Sequence, residues 1–135
     1  MKNIKLHSER RAIPELILAL SAPYKSYKIA WEINRILSIA LSQDVDYVTD
    51  DGSDFRVYSQ NNDNDCYIKL VSNIGESGGL ISSKYRNIDY FMVVSDDDYI
   101  VEIKKAKMAL QKSEFIKGVF EIKPDRAIKA MLKIL

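Results

Sequence analysis

Residues 88–95 read IDYFMVVS. Successive side chains of a strand point to opposite faces, so a strand with one wet face alternates apolar and polar residues. Tyr90, Phe91, Met92, Val93 and Val94 break that alternation, being apolar on both sides. A strand of this kind belongs inside a sheet with both faces covered. The chain of 135 residues is long enough to supply those covers itself, removing roughly 65–70% of its unfolded surface from water as one domain.

The remaining sequence divides into pieces that can do this. Residues 15–21 (ELILALS) form a short apolar run stopped by Ser21-Ala22-Pro23, which predicts a strand. Residues 24–41 predict the principal helix, with Pro23 at its first turn and Ser21 as its cap. Tyr27, Ala30, Trp31, Asn34, Leu37 and Leu41 fall on one face of it, and Ile29, Ile33, Ile36 and Ala40 on the adjacent one. Lys28, Glu32, Arg35 and Ser42 leave only a narrow polar stripe. Such a helix is expected to be covered on more than one side, with Trp31 largely buried and Trp31→Ala costing ~3–5 kcal/mol. Asn34, on the apolar face, is expected to be a hydrogen-bonded core residue.

A meander follows. Residues 45–49 and 55–59 are β-prone and flank Asp50-Asp51-Gly52-Ser53, a turn in which Gly52 takes a positive φ. Residues 60–65 (QNNDND) make a second turn, leading to a strand at 66–72. After the long loop 73–86 and the central strand come a helix at 99–112, a strand at 119–122 and a last helix opened by Pro124 and Asp125. The order is β-α-β-β-β-β-α-β-α. It predicts a single α+β domain over 1–135, with 1–11 frayed. The sheet is expected to be mixed: an antiparallel meander plus one parallel, right-handed βαβ crossover over 88–122, packed with three helices.

One cysteine, Cys66, rules out an internal disulfide and a four-cysteine zinc site, and its default role is that of a buried structural thiol. The charged start lacks the apolar core of a signal peptide, and no stretch reaches the ~20 apolar residues of a membrane span. A reducing, cytoplasmic setting without membrane contact is expected. The net charge of +1 is unevenly spread: residues 1–41 hold seven Lys/Arg against three Asp/Glu, residues 42–98 four against twelve, and residues 99–135 nine against four. Segregation of this kind marks either an anion-binding surface or, as the simpler reading, acidic turns and basic helices that neutralise each other across the fold.

Chemistry-bearing residues are sparse. Asp96, Asp97 and Asp98 follow the central strand, where open sheets place ligand sites, and three carboxylates suit Mg²⁺. Capping of the next helix by one of them accounts for the trio without a metal, and is the reading adopted. Two Glu-x-Lys triplets, Glu102 to Lys104 and Glu121 to Lys123, together with Asp89, match the residue types of metal-dependent nucleases. Their placement on a helix and across a crossover speaks against that geometry. The loop around Gly75, Gly78 and Gly79 lacks the Lys-Ser/Thr ending of a phosphate loop. His7, the only histidine, lies in the polar start. Eight tyrosines and a basic last third raise the question of nucleic acid, but no recognition-motif spacing accompanies them and most fall at core spacing.

Ile13-Pro14-Glu15 and Val94-Ser95-Asp96, with Tyr99 shortly after, resemble the two landmarks of the uncharacterised bacterial IPExxxVSDY family; Asp97 and Asp98 separate Asp96 from Tyr99. Residues 27–34 (YKIAWEIN), 70–73 (LVSN) and 89–91 (DYF) add to the resemblance. It implies a compact protein of unassigned function and supplies no catalytic residues. With no acid, base and nucleophile at workable spacing, the function expected is a non-enzymatic binding or protein-interaction domain without cofactor, acting on a protein partner or a second copy. The alternative is a metal-dependent phosphoryl or nucleic-acid hydrolase built on Asp96, Asp97, Asp98, Glu121 and Lys123.

Overall fold

The computed structural model of the chain describes residues 15–61, 66–95 and 97–135, and for Asp97 the backbone alone. The strands are β1 (Leu16–Ser21), β2 (Ser42–Gln43), β3 (Tyr47–Val48), β4 (Asp54–Phe55), β5 (Val57–Asn61), β6 (Tyr67–Ser72), β7 (Tyr90–Ser95) and β8 (Gly118–Glu121). The helices are α1 (Ser26–Leu37), α2 (Asp97–Gln111) and α3 (Arg126–Ile134). The expectations for residues 1–11 and for the 62–65 part of the second turn lie outside the described residues.

Six strands form one sheet in the order β2-β5-β6-β7-β1-β8, and β3 and β4 form a separate hairpin. β7 has every residue buried and sits between β6 and β1, as its two apolar faces require. The mixed sheet with a parallel crossover expected over 88–122 is not found. β8 pairs with β1, Leu18 opposite Glu121 and Leu20 opposite Val119, and β1 pairs on its other edge with β7, Leu16 opposite Val94 and Leu20 opposite Tyr90; both pairings are antiparallel. β7 and β8 therefore run in the same direction with β1 inserted between them, and every pairing in the sheet is antiparallel. The cause is the apolar content of β1, in which residues 16–20 are all at most 3% exposed. At an edge such a strand would leave a row of unpaired amides beside bare apolar side chains.

Alternate residues of the sheet feed two cores. Leu16, Leu18, Leu20, Ile68, Leu70 and Met92 meet Ile29 and Ile33 of α1 and Ile103 and Leu110 of α2. Ile17, Ala19, Val71, Phe91 and Val93 meet Ile128 and Met131 of α3 and Tyr47 and Phe55 of the hairpin. The helices α1 and α2 thus cover one face, and α3 with the β3–β4 hairpin covers the other. The α3 N-terminus is capped by Asp125, whose side chain accepts from Ile128 N at 2.9 Å.

The helix α1 departs from expectation in length and in orientation. It starts without a side-chain cap at Lys25, not Ser21, and ends at Ser38, which takes φ 55 and ψ 47. The chain beyond is clamped by Asn34: its Nδ2 donates to Leu41 O at 3.0 Å and its Oδ1 accepts from Leu41 N at 2.7 Å. Asn34 is thus the hydrogen-bonded residue anticipated. The buried arc is Ile29, Ala30, Glu32 and Ile33. Trp31 is 62% exposed and Tyr27 64%, so the expectation of a buried Trp31 fails. Only one layer, the sheet with α2 beside it, packs on α1; the isoleucine arc takes that contact and the aromatic arc opposite is left outside.

The single strand expected at 55–59 is split at Arg56. Asp54–Phe55 pairs back onto Tyr47–Val48, whereas Val57–Asn61 joins the main sheet beside β6 and β2. Gly52 has φ 85, as the Asp-Gly turn predicts, and a Cβ there would meet nothing within 4 Å. Gly52→Val should therefore lower stability by the backbone term alone, about 1–2 kcal/mol, while Gly52→Asn, which tolerates a left-handed φ, should retain most of it. Chemical denaturation of the three proteins checks this; equal loss in both variants would place the cost in the side chain instead.

Candidate functional site

Among the described residues, those singled out in the sequence do not assemble into one centre. Asp96 and the side chain of Asp97 lie outside the described residues, and so does the cap bond expected from this trio; Asp98 is exposed in the first turn of α2. Asp89 precedes β7 and Asp98 follows it, so roughly 20 Å of strand separates them. The two Glu-x-Lys triplets are joined by an ion pair, Lys104 Nζ to Glu121 Oε1 at 3.6 Å, with both side chains about half exposed. Among the described residues, no three His, Cys, Asp or Glu side chains group as metal ligands. The glycine loop folds on itself, with Gly75 N donating to Gly79 O, Gly78 N to Gly75 O and Glu76 N to Asp54 O, so these amides are not aimed at a ligand. Cys66 is half-buried rather than buried. Residues 13 and 14 and His7 lie outside the described residues.

The arrangement that does emerge is the outer face of α1. Positions 27, 28, 31 and 35 of α1 share one side, and Tyr24 lies just before the helix, beside Lys28. Tyr24, Tyr27 and Trp31 are all exposed there. Lys28 lies among aromatic rings, its Nζ 4.1 Å from the centre of the Phe115 ring and 5.5 Å from that of Tyr24, and the two rings meet edge to face at 5.3 Å. Arg35 is held by Glu32: Nε and Nη2 donate to Oε1 and Oε2, each at 3.0 Å, while Ser113 Oγ donates to Oε2 at 2.6 Å. Glu32 is 2% exposed, against the expectation that it belongs to a solvated stripe. Arg35 and Ser113 replace the water it gives up, and the Arg35 guanidinium above all holds its carboxyl below the usual range.

Two hollows border this face. A cleft of about 1020 Å³ opens between the start of α1 and the sheet end where β5 and β7 begin; Tyr27, Lys28, Arg56, Tyr58, Asp89 and Tyr90 help line it. A second hollow of about 570 Å³ is lined by Trp31, Arg35, Lys112 and Phe115, among others. In the larger cleft Asp89 Oδ2 accepts from Ala22 N at 2.7 Å, yet burial pushes its carboxyl above the usual range. Arg56 pairs with Glu76 at 3.5 Å. Aromatic rings and cations therefore alternate along α1, with a concavity at either end. The interleaving of Tyr27, Lys28, Trp31 and Arg35 on one arc is the sequence signal for this face, and the apolar Ala30 and Leu37 near Trp31 obscure it.

The ion pairs Arg35–Glu32, Arg56–Glu76 and Lys104–Glu121 each stay inside one charge segment of the sequence. The chain matches no model of a known protein family and no curated protein.

Glu32 and Asp89 should give opposite pH signatures. Glu32 has a folded pKa below its unfolded one, so its contribution is present above the unfolded value and is lost as pH falls through the folded one. Glu32→Gln should melt lower than wild type at neutral pH, with the gap closing in acid. Asp89 has a raised folded pKa, so wild type loses stability as pH rises through its carboxylate range. Asp89→Asn should melt higher than wild type at neutral pH, with that gain also vanishing in acid. Melting curves from neutral pH to about pH 3 check both signs.

Proposed function

We propose that the chain is a non-enzymatic protein-interaction domain that docks an acidic, partly apolar protein segment on the outer face of α1. The observation that carries this reading is the exposure of Trp31 and Tyr27, one helical turn apart, at 62% and 64%. Isolated exposed apolar residues are ordinary, but grouped aromatics with a polar rim mark interaction sites. Tyr, Trp and Arg are also the residues on which binding energy concentrates. The rim supplies the sign of the partner: of the carboxylates lining the hollows, Glu32 is paired with Arg35, Glu76 with Arg56 and Asp89 is bonded to Ala22 N, which leaves Lys25, Lys28 and Lys112 against Glu114 beside the aromatics. The two hollows offer pockets for side chains at either end of a segment lying along the helix. The IPExxxVSDY resemblance is compatible with this reading and assigns it no chemistry.

Trp31 is the only tryptophan, so its fluorescence reports on this face alone. Titration with a short peptide of alternating Asp and Val should shift and quench the emission, with an effect that weakens as salt is raised. The same peptide with Lys for Asp should do nothing, and Tyr27→Ala should weaken the acidic peptide. Because Trp31 is exposed, Trp31→Ala should change stability by no more than about 0.5 kcal/mol while abolishing peptide binding, measured by calorimetry. An unchanged emission with the acidic peptide, or a response to a single-stranded oligonucleotide instead, would remove the proposal.

A further inference from the structure

We infer that the acidic segment docked on α1 is the β3–β4 hairpin of a second copy of this chain, giving a head-to-tail association; this rests on the interaction reading above. The hairpin is the complement of the α1 face in each respect. Its exposed residues are apolar and acidic: Val45 is 83% exposed and Val48 57%, with Asp50 and Asp51 exposed at the turn between the strands. The α1 face is aromatic and basic. The two lie on opposite faces of the sheet, since α1 packs on the core built from Leu18, Leu20 and Leu70 and the hairpin on the one built from Ala19, Val71 and Phe91. Neither can therefore cover the other within one molecule.

What selects this occupant is the match between the exposed lysines beside Trp31, Lys25 and Lys112, and the exposed Asp50 and Asp51 of the hairpin turn. A contact between two different patches is heterologous and propagates into rings or chains unless it closes.

Sedimentation velocity on the full chain tests this, from micromolar to millimolar protein, at low and at high salt. The wild type should grow in mass with concentration at low salt and return to monomer at high salt. Trp31→Ala disables the α1 face, and Val45→Lys combined with Asp50→Lys disables the hairpin. All three positions are exposed, and circular dichroism verifies the fold. If Trp31→Ala folds poorly, Lys25→Glu with Lys112→Glu takes its place.

Each variant alone should remain monomeric. An equimolar mixture keeps one working α1 face and one working hairpin, so it should form dimers and nothing larger. A hairpin variant that still associates, a mixture that stays monomeric, or a wild type monomeric throughout would each overturn the inference. In those cases a response of Trp31 emission to the acidic peptide would leave the interaction domain standing with a different partner, and no response would remove both.

Discussion

Strand β1 has no polar face and no free edge. Its residues 16–20 are at most 3% exposed, its amides and carbonyls are taken by β7 on one side and β8 on the other, and its side chains feed both cores. A strand of this composition is stable only where two neighbours and two layers already exist. Much of the architecture follows from meeting that demand. The strands β7 and β8 must be parted to admit β1, so α2, which joins them, spans the width of an inserted strand. The helices α1 and α2 gather on one face because Leu16, Leu18 and Leu20 point there, and α3 with the hairpin closes the other over Ile17 and Ala19.

The same demand explains where surface is left over. The helix α1 departs from the end of β1 and lies over the core that the even-numbered residues of β1 build. That contact uses Ile29, Ala30 and Ile33. The sheet continues past it to β5 and β2, whose residues on this face, among them Tyr58 and Gln60, are only half-buried. The larger cleft opens between the helix start and that margin. It is therefore a consequence of a six-stranded sheet carrying two helices on this face, and its lining mixes ring edges from the sheet with cations from the helix.

Elements governed by local periodicity were legible in the chain: β1, β6 and β7, the Asp-Gly hairpin with Gly52 at positive φ, and the last helix with Asp125 at its start. Three things were not. The place of β1 between β7 and β8 depends on a pairing between residues about seventy to a hundred positions apart, which neither loop lengths nor patterns encode. The split at Arg56 is invisible because both halves are equally β-prone, and only the choice of different partners divides them. The facing of α1 was misjudged because two apolar arcs adjoin on that helix and a helical wheel does not say which meets the core. Ile29 and Ile33, with no polar atom to satisfy, go inside; Tyr27 and Trp31, amphipathic rings with a polar handle, are the ones that can be left in water. Glu32 was misread with them, since its burial depends on Ser113, eighty-one residues away.

That last contact bears on how the outer face of α1 is built. A surface arginine ordinarily samples many rotamers, and ordering it on binding costs about 0.5–1.5 kcal/mol. Here Glu32 is fixed first, buried beneath the helix end and bonded to Ser113, and it then grips Arg35 through both nitrogens in the fork geometry that suits a carboxylate. At the other end of the face, Lys28 is steadied by the rings of Tyr24 and Phe115. The two cations that flank Trp31 along the helix are thus held in place, Arg35 by Glu32 and Lys28 by the rings of Tyr24 and Phe115. Within the Glu32–Arg35–Ser113 cluster the Arg35 side faces solvent, where water competes for the guanidinium, whereas buried Glu32 depends on both partners to stay charged. The cluster's clearest physical effect is to hold a cation, already oriented, one turn from an exposed tryptophan.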